Sequence, residues 1–213
     1  MTTLDSDDAQ ARQPGRPRDD STAPALLQAA RLLVIEHGYR AVSIQEIANA
    51  AGVAKQTLYR RWSSKAELVL DAFLESAARV HVQTDGTLDT VLRQYLLDLF
   101  DNLATDGPAI RSLIAAAQEE PEFLAIFRSR FVEPRARVVA GMLEAARQKG
   151  EIHRDADVET ALAAFHGAFW YRLLQSEPLD AAFADRLSGF VVAALASGKK
   201  AARTRSASKA AGR

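Results

Sequence analysis

The chain of 213 residues contains no cysteine and carries no net charge. Without thiols, a disulfide framework, a thiolate metal site and a catalytic cysteine are all excluded. No run approaches the roughly 18 uninterrupted apolar residues of a membrane span, and the N-terminal residues lack the apolar core of a secretory signal. With 48% hydrophobic residues, these absences predict a globular protein of the cytoplasm that has no membrane partner.

The neutral total conceals an uneven distribution of charge. Residues 12–65 contain nine basic and four acidic residues, whereas residues 66–197 contain twelve basic and twenty acidic ones. Residues 1–11 contain three acids and no base, and residues 198–213 contain six bases and no acid. A basic N-terminal third on an acidic body leaves nucleic acid open as a partner.

Apolar residues recur at helical spacing, and no convincing alternating strand pattern is present. The sequence therefore predicts an all-α fold, with disordered tails at residues 1–20 and 198–213. Asp106-Gly107-Pro108 is predicted to separate two helices, and Pro134 to divide or kink another. The helices are expected at about 22–37, 44–50, 54–60, 64–80, 87–104, 108–118, 120–148, 156–176 and 179–197.

The strongest functional signal lies in residues 43–68, where two short helices are expected. Ser43 and Glu46 form a capping-box pattern, and Gly52 permits a tight turn between the helices. The second helix and its flanks present basic, amide and hydroxyl side chains, and residues 49–65 contain no acid. Arginine or lysine suits guanine, glutamine suits adenine, and hydroxyl groups suit phosphates. The pattern indicates a helix-turn-helix that binds double-stranded DNA.

The same segment contains a dense set of motifs: Gly38-Tyr39, Val42-Ser43-Ile44, Glu46-Ile47-Ala48, Ala51-Gly52-Val53, Thr57-Leu58-Tyr59, Trp62 and Lys65-Ala66-Glu67-Leu68. Together they resemble the DNA-binding head of the TetR/AcrR family of transcriptional regulators. The resemblance implies a three-helix head over residues 21–66 and a ligand-binding and dimerisation body over residues 67–197. Ala54 departs from the family pattern, because many members have a serine there, and its missing hydroxyl removes one expected phosphate contact.

Within the head, the resemblance implies that residues 54–60 form the recognition helix. The implied base-edge contacts are Lys55, Gln56, Thr57 and Arg60, and the implied phosphate contacts are Tyr59, Arg61, Lys65 and Ser43. Packing in the head is an equal alternative for Tyr59 and the preferred role for Trp62, and a solvated surface role is an alternative for Ser43.

A Gly-Arg-Pro segment precedes the first helix and contains Arg16 and Arg18. It resembles the minor-groove core of AT-hook peptides, since arginines in an extended arm enter a narrow A/T-rich groove. A solvated tail is the alternative, because Asp19 and Asp20 adjoin it and phosphate would repel them.

The body contains all nine phenylalanines, and the resemblance implies an apolar ligand cavity among its helices. The candidate lining residues are Phe100, Leu103, Phe123, Phe127, Phe165, Phe169 and Trp170. Because few ionisable groups fall among them, we expect an uncharged or weakly polar, hydrophobic effector. Residues 71–197 contain no recognisable catalytic or phosphate-binding motif, so we expect no enzymatic activity, cofactor or metal.

The last two helices carry wide apolar faces, and in the family such a pair meets its symmetry mate. The candidate dimer residues are Leu162, Leu173, Phe183, Leu187, Phe190, Val191 and Ala194. The sequence thus indicates a homodimeric, ligand-responsive regulator, most simply a repressor released from a palindromic operator by a small effector. Two alternatives remain: a regulator of the same fold that acts without a small-molecule ligand, and a helical enzyme with an incidental basic head.

Overall fold

The computed structural model describes residues 22–77 and 85–196, and within these ranges the regular structure is helical. The predicted disordered tails lie outside the described residues. The helices are α1 (Thr22–His37), α2 (Ile44–Ala50), α3 (Lys55–Tyr59), α4 (Lys65–Ala77), α5 (Leu88–Glu119), α6 (Pro121–Phe127), a π-helical segment (Arg128–Val132), α7 (Glu133–Gln148), α8 (Val158–Leu174) and α9 (Ala181–Ala196). In the described part of the chain, no helix is long and apolar enough to cross a membrane.

The predicted break at Asp106-Gly107-Pro108 is wrong, because α5 runs through it without interruption. Pro108 is exposed, so the backbone carbonyl that loses its N–H partner there lies on the solvent side of the helix. Gly107 is buried, and a Cβ built on it would lie 3.2 Å from Leu173 Cδ1 of α8. The glycine therefore allows two helices to approach closely, and it does not end one.

The helix predicted over residues 120–148 is instead divided into α6, the π-helical segment and α7. Pro134 sits in the first turn of α7 and has no N–H to donate to the preceding turn. The backbone widens just before it, where the Glu133 N–H donates to the carbonyl of Arg128, five residues earlier. The proline thus changes the pitch of the chain at residues 128–132.

Two apolar clusters share the long helix α5. The first cluster contains residues of helices α1, α2, α3 and α4, of the C-terminal half of α5 and of α6. The second contains residues of the N-terminal half of α5 and of α7, α8 and α9. The first cluster crosses the predicted head boundary at residue 66, since Leu26 and Val34 of α1 share it with Leu68 and Phe73 of α4. Helices α1, α2 and α3 of the predicted head therefore share an apolar core with the body.

Candidate DNA-binding site and body cavity

Local hydrogen bonds define the turn between α2 and α3. Ser43 Oγ accepts from the Glu46 N–H, and Glu46 Oε2 accepts from the Ser43 N–H at 2.7 Å, which completes the predicted capping box. These bonds also lower the pKa of the exposed Glu46 carboxyl. At the other end of α2, Gly52 has φ +68° and Val53 N–H donates to the Ala48 carbonyl. This is a Schellman motif, in which glycine accepts the left-handed backbone conformation.

The short helix α3 and the two arginines that follow it contain six of the predicted DNA contacts. Lys55, Gln56, Arg60 and Arg61 are exposed, and Thr57 is half-buried. Leu58, on the opposite face, is fully buried, so α3 is fixed from beneath. Ala54 is the N-cap residue and makes no side-chain capping bond, which leaves the backbone N–H groups of the first turn without a side-chain partner at that position.

The two aromatic residues beside α3 have different environments. Tyr59 is 47% exposed, and the Lys55 ammonium lies 5.7 Å from its ring centroid, so its hydroxyl is available to a phosphate. Trp62 is 6% exposed, and its Nε1–H donates to Asp71 Oδ2 of α4 at 2.8 Å. The preferred packing role of Trp62 is thereby confirmed.

Lys65 stabilises the head through contacts with the segment between α1 and α2. Its ammonium donates to the carbonyls of Tyr39 and Val42, both at 2.9 Å, and lies 4.1 Å from the Tyr39 ring centroid. Partial burial lowers the pKa of Lys65. Two of its three N–H donors are used in this way, so one remains for the predicted phosphate contact. Arg16 and Arg18 lie outside the described residues.

A cavity of about 40 Å³ lies between α4, α5, the π-helical segment, α7 and α8. Leu103, Phe169 and Trp170 line it as predicted. The other four candidates do not line it: Phe123 stacks on Tyr39 at 4.6 Å, Phe127 lies in the same cluster beneath the head, Phe100 stacks on Phe183, and Phe165 is fully buried in the second cluster. These four side chains thus lie outside this cavity, although Phe100 lines a separate pocket with Leu103 and Leu173. Phe73 and Phe131 line the cavity instead.

The cavity wall also contains ionisable groups, contrary to the expectation from sequence. Tyr95, Asp106, Arg135 and His166 all line it. Burial raises the pKa of Tyr95, lowers the pKa of His166 and lowers the pKa of Arg135 to about 10. Sequence spacing gave no signal for these residues, because they lie on three different helices.

One polar link joins the cavity wall directly to the head. Asp106 is 2% exposed, and its Oδ1 accepts from Arg31 Nη2 of α1 at 2.5 Å. Arg31 Nε lies 3.4 Å from the second carboxylate oxygen. The side chain of Arg31 is 24% exposed, so this ion pair is largely shielded from water.

A second polar link runs from the π-helical segment to the end of the recognition helix. Arg130 donates to Glu67 Oε1 at 3.1 Å and to Asp71 Oδ1 at 3.0 Å, both on α4. Asp71 in turn accepts from Trp62, and Glu67 accepts from Ser63 N–H at 2.9 Å. The residues that follow α3 are thus held by the same acids that bind the cavity-forming segment.

The outer face of α8 and α9 is exposed and apolar. Tyr171, Leu174 and Phe190 are 62%, 48% and 63% exposed, and Gly167 and Gly189 lie between them with no atoms near a built Cβ. Of the predicted dimer residues, Phe190 and Ala194 are exposed here, whereas Leu162 and Phe183 are half-buried.

Three predicted dimer residues belong to the interior of the protomer. Leu187 and Val191 are 5% and 1% exposed in the cluster that α9 forms with α5, and Leu173 is 4% exposed at the cavity wall. The structure corrects these assignments. Both helices are apolar on more than one face, and the sequence did not distinguish the inner face from the outer one.

A capped helix, a glycine turn and a short exposed basic helix define a helix-turn-helix protein. In this protein the helix-turn-helix packs on a helical body that contains a cavity. Known proteins of similar sequence and structure identify its family.

Two family models match the chain. One described as "Bacterial regulatory proteins, tetR family" matches residues 26–72, and one described as "Tetracyclin repressor-like, C-terminal domain" matches residues 82–191. YdeS of Bacillus subtilis (strain 168), an uncharacterized HTH-type transcriptional regulator, is 37% identical over 162 residues, which cover 75% of this chain and 82% of YdeS.

Two further proteins show the same relationship. The DNA-binding transcriptional repressor TetR of Mycobacteroides abscessus is 30% identical over 174 residues, covering 80% of this chain and 91% of that protein. The crystal structure of the TetR family regulator SCO0332 has 28% identity and a TM-score of 0.68, covering 82% of this chain and 98% of that one. The chain belongs to the TetR family and is a DNA-binding transcriptional regulator.

Proposed function

We propose that the protein is a repressor that binds a palindromic operator as a homodimer and is released by a small, largely hydrophobic effector. The position of α4 carries this proposal. The helix begins three residues after Trp62 and contributes Phe73 to the cavity wall. Because one helix adjoins both sites, a change in cavity shape alters the placement of α3.

The exposed side chains of α3 support the assignment of DNA contacts. We infer that Lys55, Gln56 and Arg60, with the half-buried Thr57, bind base edges in the major groove. Tyr59 and Arg61, together with Lys65 and the N-cap residue Ser43, then bind phosphates. Base contacts determine sequence preference, whereas phosphate contacts mainly determine affinity and its dependence on salt.

The small size of the cavity suggests how the effector acts. A volume of about 40 Å³ accommodates a few water molecules but no drug-sized ligand. An effector must therefore displace Phe73 on α4 or Phe131 in the π-helical segment when it enters. A difference of about 1 to 3 kcal/mol in effector affinity between the two states changes operator affinity some 5- to 150-fold.

Selection of binding sites from random duplex DNA with the full-length protein tests the DNA-binding proposal. We expect an inverted repeat, with half-site centres about 34 to 36 Å apart for a twofold dimer. An asymmetric single site would contradict the homodimeric arrangement.

Variants then separate the two kinds of contact. Gln56→Ala should change the selected bases, whereas Arg61→Ala should lower affinity for every sequence and reduce the slope of log K against log salt by about 1. Arg147→Ala, an exposed site on the body, is the matched control and should leave both quantities unchanged. If Gln56→Ala lowers affinity without changing preference, the base-edge assignment is wrong.

The exposed face of α8 and α9 supports the homodimer. Phe190→Glu places a charge in this face and should shift the protein to monomer in analytical ultracentrifugation. Leu32→Glu is the control, because Leu32 is 52% exposed on α1 of the head. If Phe190→Glu remains dimeric, the partner helices meet elsewhere.

One observation favours the alternative of a regulator without a small-molecule ligand. The cavity is nearly filled by the protein's own side chains, as a constitutive DNA-binding protein would allow. The mutual effect of effector and operator on each other's binding distinguishes the ligand-responsive repressor from the regulator without a ligand. An effector that weakens operator binding must bind the operator complex more weakly by the same factor, and a bound compound that leaves operator affinity unchanged would support the alternative.

A further inference from the structure

The cavity wall contains an arginine that forms no salt bridge within residues 22–77 and 85–196. No carboxylate of these residues lies within salt-bridge distance of the Arg135 guanidinium. It donates instead to the Phe131 carbonyl at 2.9 Å and weakly to the Phe73 carbonyl at 3.5 Å, and it lies 3.5 Å from the Phe131 ring centroid. Although burial lowers the pKa of Arg135 to about 10, the group is still charged at neutral pH.

The acid that lines the same cavity is hydrogen-bonded to another arginine. Both carboxylate oxygens of Asp106 face Arg31, at 2.5 and 3.4 Å. The charge of Asp106 also attracts Arg135, since it raises the pKa of Arg135 against the effect of burial. Arg31 and Arg135 therefore share one acid, and these three groups together carry one net positive charge.

One polar atom of the wall, on His166, lacks a hydrogen-bond partner in the described part of the chain. His166 Nδ1 lies 2.9 Å from the Leu162 carbonyl, which can only accept, so Nδ1 carries the proton. Because burial lowers the pKa of His166, the ring is neutral at neutral pH, and Nε2 is a bare acceptor. Nε2 is buried and has no hydrogen-bond partner among the described residues.

We propose that the effector is a small amphipathic organic acid whose carboxylate pairs with Arg135 and whose hydrophobic part packs on Phe169 and Trp170. This inference rests on the proposed ligand-responsive function and specifies its ligand. It replaces the expectation of an uncharged effector, because Arg135 shares its acid with Arg31 and forms no salt bridge of its own among the described residues. A hydrogen-bond donor on the same molecule would satisfy His166 Nε2.

The contacts of Arg135 also connect this ligand to the head. The guanidinium bonds the carbonyl of Phe73, and Phe73 belongs to α4. A carboxylate is a stronger acceptor for guanidinium than a backbone carbonyl at 3.5 Å. An acid that draws Arg135 towards itself therefore weakens a contact between α7 and α4.

Matched acids and alcohols test the ligand class. Isothermal titration of the full-length protein with hexanoate, octanoate and phenylacetate, and with 1-hexanol, 1-octanol and 2-phenylethanol, compares equal hydrophobic groups with and without the charge. We expect each acid to bind about ten- to a hundredfold more tightly than its alcohol, as a charge-assisted hydrogen bond allows. Equal binding of acid and alcohol would overturn the proposal.

Arg135→Met tests the residue, because methionine keeps apolar bulk and removes the charge. The acids should then bind no better than the alcohols, while binding of the alcohols is retained. Arg147→Met on the same helix is the control and should keep the preference for acids. Arg135→Lys, which keeps the positive charge, should retain part of the preference for acids. A preference for acids that survives Arg135→Met would refute the role of Arg135.

Operator binding measured with the same compounds separates this inference from the proposed function. If the alcohols bind and release the operator as well as the acids do, the organic-acid inference fails and the ligand-responsive repressor stands. If no compound of either series binds while operator binding is intact, the inference fails, and the regulator without a ligand is favoured.

Discussion

Replacing Arg31 with methionine removes the cation that neutralises Asp106 and keeps most of the packing of the arginine stem. The Asp106 side chain is 3% exposed, so water cannot reach it to replace the lost partner. Breaking a buried ion pair from one side costs about 3 to 5 kcal/mol. Because Arg31 is itself 24% exposed, we take the lower end and expect a loss of about 3 kcal/mol in the free energy of unfolding.

Urea denaturation at a fixed protomer concentration measures this loss, since the proposed dimerisation would make apparent stability depend on concentration. At an m-value of about 2 kcal/mol/M, the midpoint should fall by about 1.5 M. Arg147→Met is the control, because Arg147 is 41% exposed and lies 3.9 Å from Glu144. Its loss should stay below about 0.5 kcal/mol.

The double variant Arg31→Met/Asp106→Leu separates the ion pair from simple packing. It leaves neither member of the Arg31–Asp106 pair unpaired, so its stability should return to within about 1 kcal/mol of the unaltered protein. The reasoning would be refuted if Arg31→Met shifted the midpoint no more than Arg147→Met. It would also be refuted if the free energy of unfolding of the double variant fell by the sum of the losses in Arg31→Met and Asp106→Leu.

Three further predictions concern the head and the body. Burial and the charge of Glu120 raise the pKa of Tyr39 to about 12, so its contribution to stability is complete below pH 10 and is lost between pH 10 and 12. Urea titrations at pH 9 and 11 should therefore show a smaller alkaline loss for Tyr39→Phe than for the unaltered protein. Gly52→Ala should cost about 1 kcal/mol at its positive φ, whereas Gly141→Ala, in mid-helix with no nearby atoms, should gain about 0.5 to 1 kcal/mol, and thermal unfolding compares the two. Trp62→Phe removes one hydrogen bond to an acid and should cost about 1 to 2 kcal/mol by the same measurement and weaken operator binding; unchanged operator affinity would show that this bond does not position α3.

The head was predictable because its signals are local. The capping box at Ser43 and the glycine turn at Gly52 depend on residues within a few positions of each other, and both form as expected. The preferred packing role of Trp62 is likewise observed, since Trp62 is buried just after α3 and Leu58 is buried within it.

The body was less predictable because apolar residues with the same helical spacing lie in different environments. Phe123, Phe127 and Phe131 recur every four residues, yet the first stacks on Tyr39 and only the third reaches the cavity wall. The difference arises at the π-helical segment, where the change of pitch precedes Pro134. Similarly, the Asp106-Gly107-Pro108 turn signal was overridden by the packing of Leu173 on Gly107.

Caps, turns and apolar periodicity act over a few residues, so the all-helical fold, the helix-turn-helix and the family were all predictable from the sequence. Which apolar side chains face the cavity and which face outwards depends on how the helices pack together. This packing alone brought Arg135, Asp106 and His166 to one cavity wall, and joined Asp106 to Arg31 across 75 residues of sequence. The interaction of charges in the cavity wall depends on the distances between helices, and the spacing of residues in the sequence does not predict these distances.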